Sequence, residues 1–282
     1  MIKVVSGGIG GLAHALRDGD QFAARVDERR PAVFLDYDGT LTPIVDRPED
    51  AVIADSMRDA VRRLAQRTTV CVVSGRDRSV VADWMGIDGL VVAGSHGFDL
   101  GQDNSGDIGE LPDAVADFAD LLGTVIDRLR NQLDRAPGAT VEPKRFSVAV
   151  HYRLVDAAHR PLVAAVADDL LADYPDQLKI TPGKMVYEIQ PKIDWDKGQA
   201  VQYLRRALGV DGAEFVSLYL GDDITDEDAF KVLKEPINGI GVIVADVSDP
   251  EVADRATAAD FLLESVREVE RFLSILARTS GP

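Results

Sequence analysis

Two aspartates bracket a single tyrosine in VFLDYDGTLTPI, residues 33–44, directly after an apolar run. Asp36 would close a buried strand and stand at the carboxyl rim, where open α/β sheets bind their ligands. Asp38, two residues on, returns to the same side of extended chain. Gly39 permits close backbone approach, and Thr40 offers an amide and a hydroxyl. Asp and Gly are also ordinary punctuation after a strand, so this segment alone fits a turn as well as a site.

Further chemistry gathers at other strand ends. VVSGR puts Ser74 at a rim, with Gly75 freeing the backbone ahead of a helix N-terminus that can favour an anion. GDDITDED adds Asp222 and Asp223, and IDWDKGQA opens a helix with Lys197 as an isolated positive charge. Each has a bland counterpart: Ser74 could satisfy a turn and Lys197 could be a surface lysine. Thr225 with Asp228 three residues on reads as a capping box, which makes Asp226 and Asp228 helix-start residues. Their joint recurrence at successive strand ends favours one shared site. Three carboxylates without histidine or cysteine suit a hard, oxygen-seeking cation, and Mg²⁺ is the expected metal. A hydroxyl, a lysine and backbone amides around it can neutralise the equatorial oxygens of a phosphoryl group in transfer.

The elements that must hold these residues follow from the apolar pattern. AVFLD, TTVCVVS, GLVVAG, EFVSLYLG, GIGVIVA and ADFLLE are short unbroken runs separated by helical stretches. Such runs suit strands covered on both faces, hence an α/β fold with a parallel sheet. Asp55 or Ser56 is expected to cap one helix and Asp77 another, while the helix after Lys197 stops at Gly209. The middle third departs from this rhythm. A long amphipathic helix from Leu111 to Leu133, two strands, a second helix near 161–173 and two more strands predict an inserted α+β module over residues 106–191. The core is then 26–105 with 192–282. Residues 1–25 read as a short amphipathic helical extension with no assigned role.

Bulk properties narrow the function classes. A net charge of −17 opposes binding to nucleic acid or anionic membrane, so an anionic substrate needs a local positive site. No apolar run approaches the ~18 residues of a spanning helix, and the N-terminus lacks the pattern of a signal peptide, which predicts a cytoplasmic protein. The single cysteine, Cys71, excludes an internal disulfide and reads as strand interior, and four scattered histidines offer no zinc spacing.

The ordered set DYDGT, VVSGR, DKG and GDDITDED resembles the four signature motifs of the haloacid dehalogenase superfamily of phosphotransferases. More closely, LDYDGTLTPIVDRPEDA, AGSHGFDL, KRFSVAVHYR, GKMVYEIQP and GDDITDEDAF are similar to the trehalose-6-phosphate phosphatases; only the first ~25 residues fall outside. The resemblance implies a Rossmann-like doubly wound core with an α+β cap that closes to exclude water. It implies Asp36 as the nucleophile forming an aspartyl-phosphate, and Asp38 as the acid and then the base. Asp36, the Asp38 carbonyl and Asp222 would hold Mg²⁺, with Asp223 or Asp226 supporting. Ser74 and Lys197 would bind phosphoryl oxygens, Gly39, Thr40, Gly75 and Arg76 would line the substrate site, and His96, at the third strand's rim, would position it. Arg145, His151, Arg153, Lys184 and Glu188 sit in the matching cap motifs and would meet the sugar. The implied substrate is trehalose 6-phosphate, in trehalose biosynthesis, with a functional link to a trehalose-6-phosphate synthase. Sucrose phosphate, mannosyl-phosphoglycerate and a non-catalytic regulatory module are the alternatives.

Overall fold

Apolar runs bounded by turn residues become strands, and the amphipathic stretches between them become helices. The structure is a computed structural model that describes residues 8–45, 47–102, 106–107, 113–144, 146–183, 185–192, 195–234 and 236–279. Two units result, Met1–Gly109 joined by Trp195–Pro282, and Glu110–Asp194. The first unit begins with β1 (Ala13–His14), α1 (Gly19–Val26), β2 (Arg30–Leu35), α2 (Asp55–Ala65), β3 (Thr69–Val73), α3 (Arg78–Met85), β4 (Val91–Gly94), β5 (Asp99–Gln102) and β6 (Gly106–Asp107). The second unit contains α4 (Asp113–Leu133), β7 (Thr140–Pro143), β8 (Val148–His151), α5 (Arg160–Asp173), β9 (Leu178–Gly183) and β10 (Val186–Pro191). The chain then returns to the first with α6 (Lys197–Ala207), β11 (Phe215–Gly221), α7 (Glu227–Val232), β12 (Ile240–Val244), α8 (Pro250–Ala253), β13 (Phe261–Leu263) and α9 (Val266–Thr279).

The first unit's sheet has the order β1-β13-β12-β11-β2-β3-β4-β5-β6. It is parallel from β1 to β4, and β5 and β6 extend it antiparallel. Alternation along β2 explains the apolar run: Val33 and Leu35 join one cluster with α2, α3 and α9, while Ala32 and Phe34 join another with α6 and α7. Chain order reverses between β2 and β11, the switch point at which such sheets open a crevice beyond their carboxyl ends. Asp36 and Asp222 are the first residues past those two strands, and the Asp36 N–H donates to the Leu220 carbonyl at 2.9 Å.

The N-terminal segment is more than the expected helix. A 3-10 turn at Ile9–Gly11 precedes β1, which pairs in parallel with β13, and α1 follows. A two-residue strand is too short to carry any periodicity. His14 ties the segment down: its Nε2 lies 3.0 Å from Glu268 Oε2, and its Nδ1 accepts the Leu16 and Arg17 N–H groups at 3.2 Å. The expected caps also differ. Ala54, not Asp55 or Ser56, occupies the N-cap of α2, and Ser56 donates instead to Glu270. Asp77 holds the N-cap position of α3 without a capping bond and accepts the Ser95 hydroxyl. In both cases a tertiary partner outcompetes the local one.

The second unit is a four-stranded antiparallel sheet, β7-β8-β10-β9. Val148, Val150 and Ile189 pack with Leu122, Val125, Leu129, Val163 and Leu170 of α4 and α5. The alternate positions, including Glu142, Ala149 and Glu188 in one cross-strand row, occupy the other sheet face. No helix among the described residues is long and apolar enough to cross a membrane.

Phe22 shows how α1 is bound to the core, meeting Phe261 and Phe272 edge to face with centroids 5.4 and 5.0 Å away. Phe22→Ala is therefore expected to lower the unfolding free energy by about 3 kcal/mol in urea titration. A freely detached extension would show no change.

Candidate active site

Local structure places three carboxylates and one ammonium at the switch point. β2 delivers Asp36, the turn after β11 delivers Asp222 and Asp226, and the first residue of α6 delivers Lys197. Asp196 caps that helix by accepting the Gln199 N–H at 2.8 Å, which fixes where Lys197 emerges. Lys197 Nζ donates to Asp36 Oδ1 and to Asp226 Oδ1, each at 2.7 Å. Tyr219 donates its hydroxyl to the same Asp226 oxygen at 2.6 Å. Asp226 Oδ2 accepts the N–H groups of Asp222 and Asp223, both at 3.0 Å.

Asp226 starts a helix as expected, standing at the N-cap of α7, and it is also the organiser of this rim, fully buried. The capping box involves Asp223 and Asp226, not Thr225 and Asp228. Asp223, expected beside the metal, uses its side chain on the Asp226 N–H and lies outside the cluster of Asp36, Asp222 and Asp226, whose oxygens sit within 4.8 Å of one another. A tyrosine at 219 and an acid seven residues later were the available signals, but alternation along a strand cannot show that a side chain points into a site.

Burial pushes the Asp36 carboxyl well above the ordinary range; Lys197 opposes this rise, while Asp226 and Asp222 add to it. Burial alone would lower the Lys197 ammonium, but Asp36 and Asp226 outweigh it and hold the group protonated. Asp222 is pushed up to about 7, by burial first and then by Asp226 and Asp223. Its buried Oδ1 has no hydrogen-bond partner. Three crowded carboxylates against one ammonium leave a deficit of positive charge beside an oxygen with no donor. Both Asp226 oxygens are already occupied, so Asp36 and Asp222 are the side chains that could hold a hard divalent cation.

The turn after β2 is shaped around Asp222. Gly39 has φ +80°, and a Cβ there would lie 2.1 Å from Asp222 Oδ2. Thr40 is buried with its hydroxyl unpartnered. Asp38 is gripped by Arg76, whose Nε and Nη2 donate to its two oxygens at 2.6 and 2.7 Å. The Arg76 guanidinium also lies 4.9 Å from the Trp84 ring centroid. Arg76, expected against substrate, is therefore engaged with Asp38. Ser74 is buried, and its hydroxyl accepts the Arg76 N–H at 3.1 Å across Gly75. His96 belongs to the 3-10 turn Ser95–Gly97, and its side chain lies outside the described residues.

A second grouping, His14 with Glu264 and Glu268, has comparable spacing. Two backbone N–H groups point at His14 Nδ1, so its proton belongs on Nε2, the atom a metal would need. That grouping fastens the N-terminus.

In the second unit the sheet face opposite α4 and α5 carries linked polar groups. Lys144 Nζ contacts both Glu188 oxygens at 3.1 and 3.2 Å, and Ser147 donates to Glu188. His151 Nε2 lies 2.6 Å from Glu142. Glu142, Lys144 and the buried Ser147 were missed because polar residues on or beside an alternating strand carry no distinguishing pattern. Arg153 is exposed just past β8. Arg145 and Lys184 lie outside the described residues.

The doubly wound core interrupted by an α+β unit, with its acids at the switch point, defines a haloacid dehalogenase-like phosphatase fold. The sequence profile of the Trehalose-phosphatase family matches residues 34–267. The chain belongs to that family, whose members are phosphoric monoester hydrolases. It is 38% identical over 274 residues to probable trehalose-phosphate phosphatase G of Arabidopsis thaliana, covering 91% of this chain and 71% of that one. It is 41% identical over 251 residues to the trehalose-phosphate phosphatase of Mycobacterium tuberculosis, covering 89% and 62% of the two. Among solved structures, the Aspergillus fumigatus trehalose-6-phosphate phosphatase superposes with a TM-score of 0.66 at 29% identity, covering 96% of this chain and all of that one.

The space beside Gly39 gives a direct test. Gly39→Ala places a methyl against the Asp222 carboxylate in a strained backbone region. Phosphatase activity is expected to fall by about 100-fold, roughly 2.7 kcal/mol in the barrier, while far-UV circular dichroism stays unchanged.

Proposed function

We propose that this chain hydrolyses trehalose 6-phosphate to trehalose and inorganic phosphate through a covalent intermediate on Asp36. The observation that carries this reading is the buried Asp36–Lys197–Asp226 constellation at the switch point of a chain that belongs to the Trehalose-phosphatase family. Asp36 attacks phosphorus, the bond to the sugar oxygen breaks, and Asp38 supplies the proton that the leaving oxygen requires. Asp38 then takes a proton from water, which attacks the aspartyl-phosphate and frees Asp36. Arg76 orients both Asp38 oxygens for these transfers. Lys197 neutralises charge as a carboxylate approaches an anionic phosphate, and Ser74, Thr40 and the amides near Gly39 and Gly75 supply donors to the phosphoryl oxygens.

Mg²⁺ fits the donor set: Asp36 and Asp222 are hard oxygen ligands, and the buried Asp222 Oδ1 accepts no hydrogen bond, which leaves its lone pairs available to a cation. The Asp38 carbonyl would join them. Bound there, the ion supplies charge neutralisation for the phosphoryl group. Glu188, His151, Arg153, Arg145 and Lys184 are assigned to recognition of the hydroxyl-rich sugar, with residues 106–191 as the cap, and His96 to positioning the substrate at the core rim. Sucrose phosphate and mannosyl-phosphoglycerate are set aside because the family match extends over the cap strands as well as the core. The reaction is placed in the cytosol, downstream of a trehalose-6-phosphate synthase.

Asp36→Asn should release phosphate from trehalose 6-phosphate about 10³-fold more slowly, a barrier change of ~4 kcal/mol. Turnover at the parent rate would refute the nucleophile assignment. Chelation by EDTA should abolish phosphate release and added Mg²⁺ should restore it. In a panel with glucose 6-phosphate and sucrose phosphate, kcat/KM should be highest for trehalose 6-phosphate; a clear preference for another substrate would displace the reading.

A further inference from the structure

Asp222 differs from the other acids of the cluster in how it is held. Asp36 extends directly from a central strand and its carboxylate is bonded to Lys197. Asp222 has an unpartnered oxygen, so the position of its side chain depends on its backbone. That backbone is fixed by side chains at both polar groups. The Asp222 N–H donates to Asp226 at 3.0 Å, and its carbonyl accepts from Arg255 Nη2 at 3.1 Å. Arg255 comes from the segment between α8 and β13, 33 residues further along the chain.

The N-terminal segment supports Arg255 from behind. Ile9 is fully buried in the cluster that contains Tyr219, Phe230 and Ala259, and its N–H donates to the Arg255 carbonyl at 3.0 Å. Gly8 lies so close to this segment that a Cβ would fall 2.3 Å from the Ala253 carbonyl oxygen and 2.8 Å from Asp254 Cα. A continuous route thus runs from Gly8–Ile9 through Arg255 to Asp222.

We propose that Arg255 is a positioning residue for the divalent cation, setting the Asp222 carboxylate through its main-chain carbonyl, and that Gly8–Ile9 is its buttress. The proposal rests on the assignment of Asp36 and Asp222 as ligands to Mg²⁺. Its sign separates it from simple electrostatics. A guanidinium repels a divalent cation, so if charge were its only influence, removing Arg255 would tighten metal binding. If it positions Asp222, removal must weaken binding, and outer-shell partners of this kind typically contribute about 10- to 100-fold in metal affinity.

The test is Mg²⁺ titration of the full chain by isothermal calorimetry, with no substrate present. Arg255→Met, which keeps an apolar stem, should raise the Kd for Mg²⁺ at least about 10-fold. Arg255→Lys, which retains a donor, should recover most of that loss. A Kd equal to or below that of the parent in Arg255→Met would overturn the assignment. If Arg255→Met does not fold, Gly8→Ala carries the same test, since its methyl must displace the Ala253–Arg255 backbone. Weaker Mg²⁺ binding there supports the route, and parent affinity overturns it. A parent chain that takes up no Mg²⁺ would instead refute the metal reading beneath the proposal.

Discussion

The Lys197 ammonium, 5% exposed between Asp36 and Asp226, is the interaction on which the rest of the site depends. Moving three such charges out of water costs several kcal/mol each, and the return comes only if every donor and acceptor finds a partner. The arrangement meets that demand for Lys197 and Asp226, whose oxygens collect the ammonium, the Tyr219 hydroxyl and two backbone N–H groups. Removal of one partner from such a group typically costs about 3–5 kcal/mol. The satisfied half of the cluster is therefore rigid, and it holds the nucleophile candidate in place.

The sheet topology explains how residues from four distant segments meet. At the junction of β2 and β11 the order of strands reverses, the point at which such sheets open a crevice beyond their carboxyl ends. Asp36 and Asp222 emerge there side by side because Leu35 and Leu220 are paired in register. Lys197 reaches the same point because Asp196 starts α6 there and the helix buries Ala200, Val201 and Leu204 against the sheet. The core helices thus fix not only stability but also the origin of each functional side chain.

Much of this was legible in the sequence because strand ends are marked by a change of residue type. Asp36, Ser74, Lys197 and Asp222 each interrupt an apolar run or open a helix, and the unbroken runs announced a sheet covered on both faces. Asp226 was named only through the family resemblance, as an alternative to Asp223 in supporting the metal; its central place was not legible from the residues, since an acid in the first turn of a helix usually complements the helix dipole. Its role depends on Tyr219 and Lys197, which approach it from other elements. The same applies to Arg76, whose charge was visible but whose two bonds to Asp38 were not. Glu142 and Lys144 were hidden for another reason: cross-strand pairing decides their neighbours, and register is not written in residue type. The two-residue β1 lies below the length at which any pattern can declare a strand.

Charge sets the final constraint. The chain carries a net charge of −17, yet the proposed substrate is a phosphate dianion. Lys197 is already shared by two carboxylates, and Arg76 is engaged with Asp38. Neither is a spare cation waiting for phosphate. In the proposed reading, a divalent cation supplies positive charge that these two groups do not, and the crowding that pushes Asp222 up to about 7 is in keeping with that role. On that reading, the acidic cluster and the anionic substrate are compatible because one divalent cation would serve both. This coupling makes the geometry of Asp222, rather than the abundance of basic residues, the limiting feature of the site.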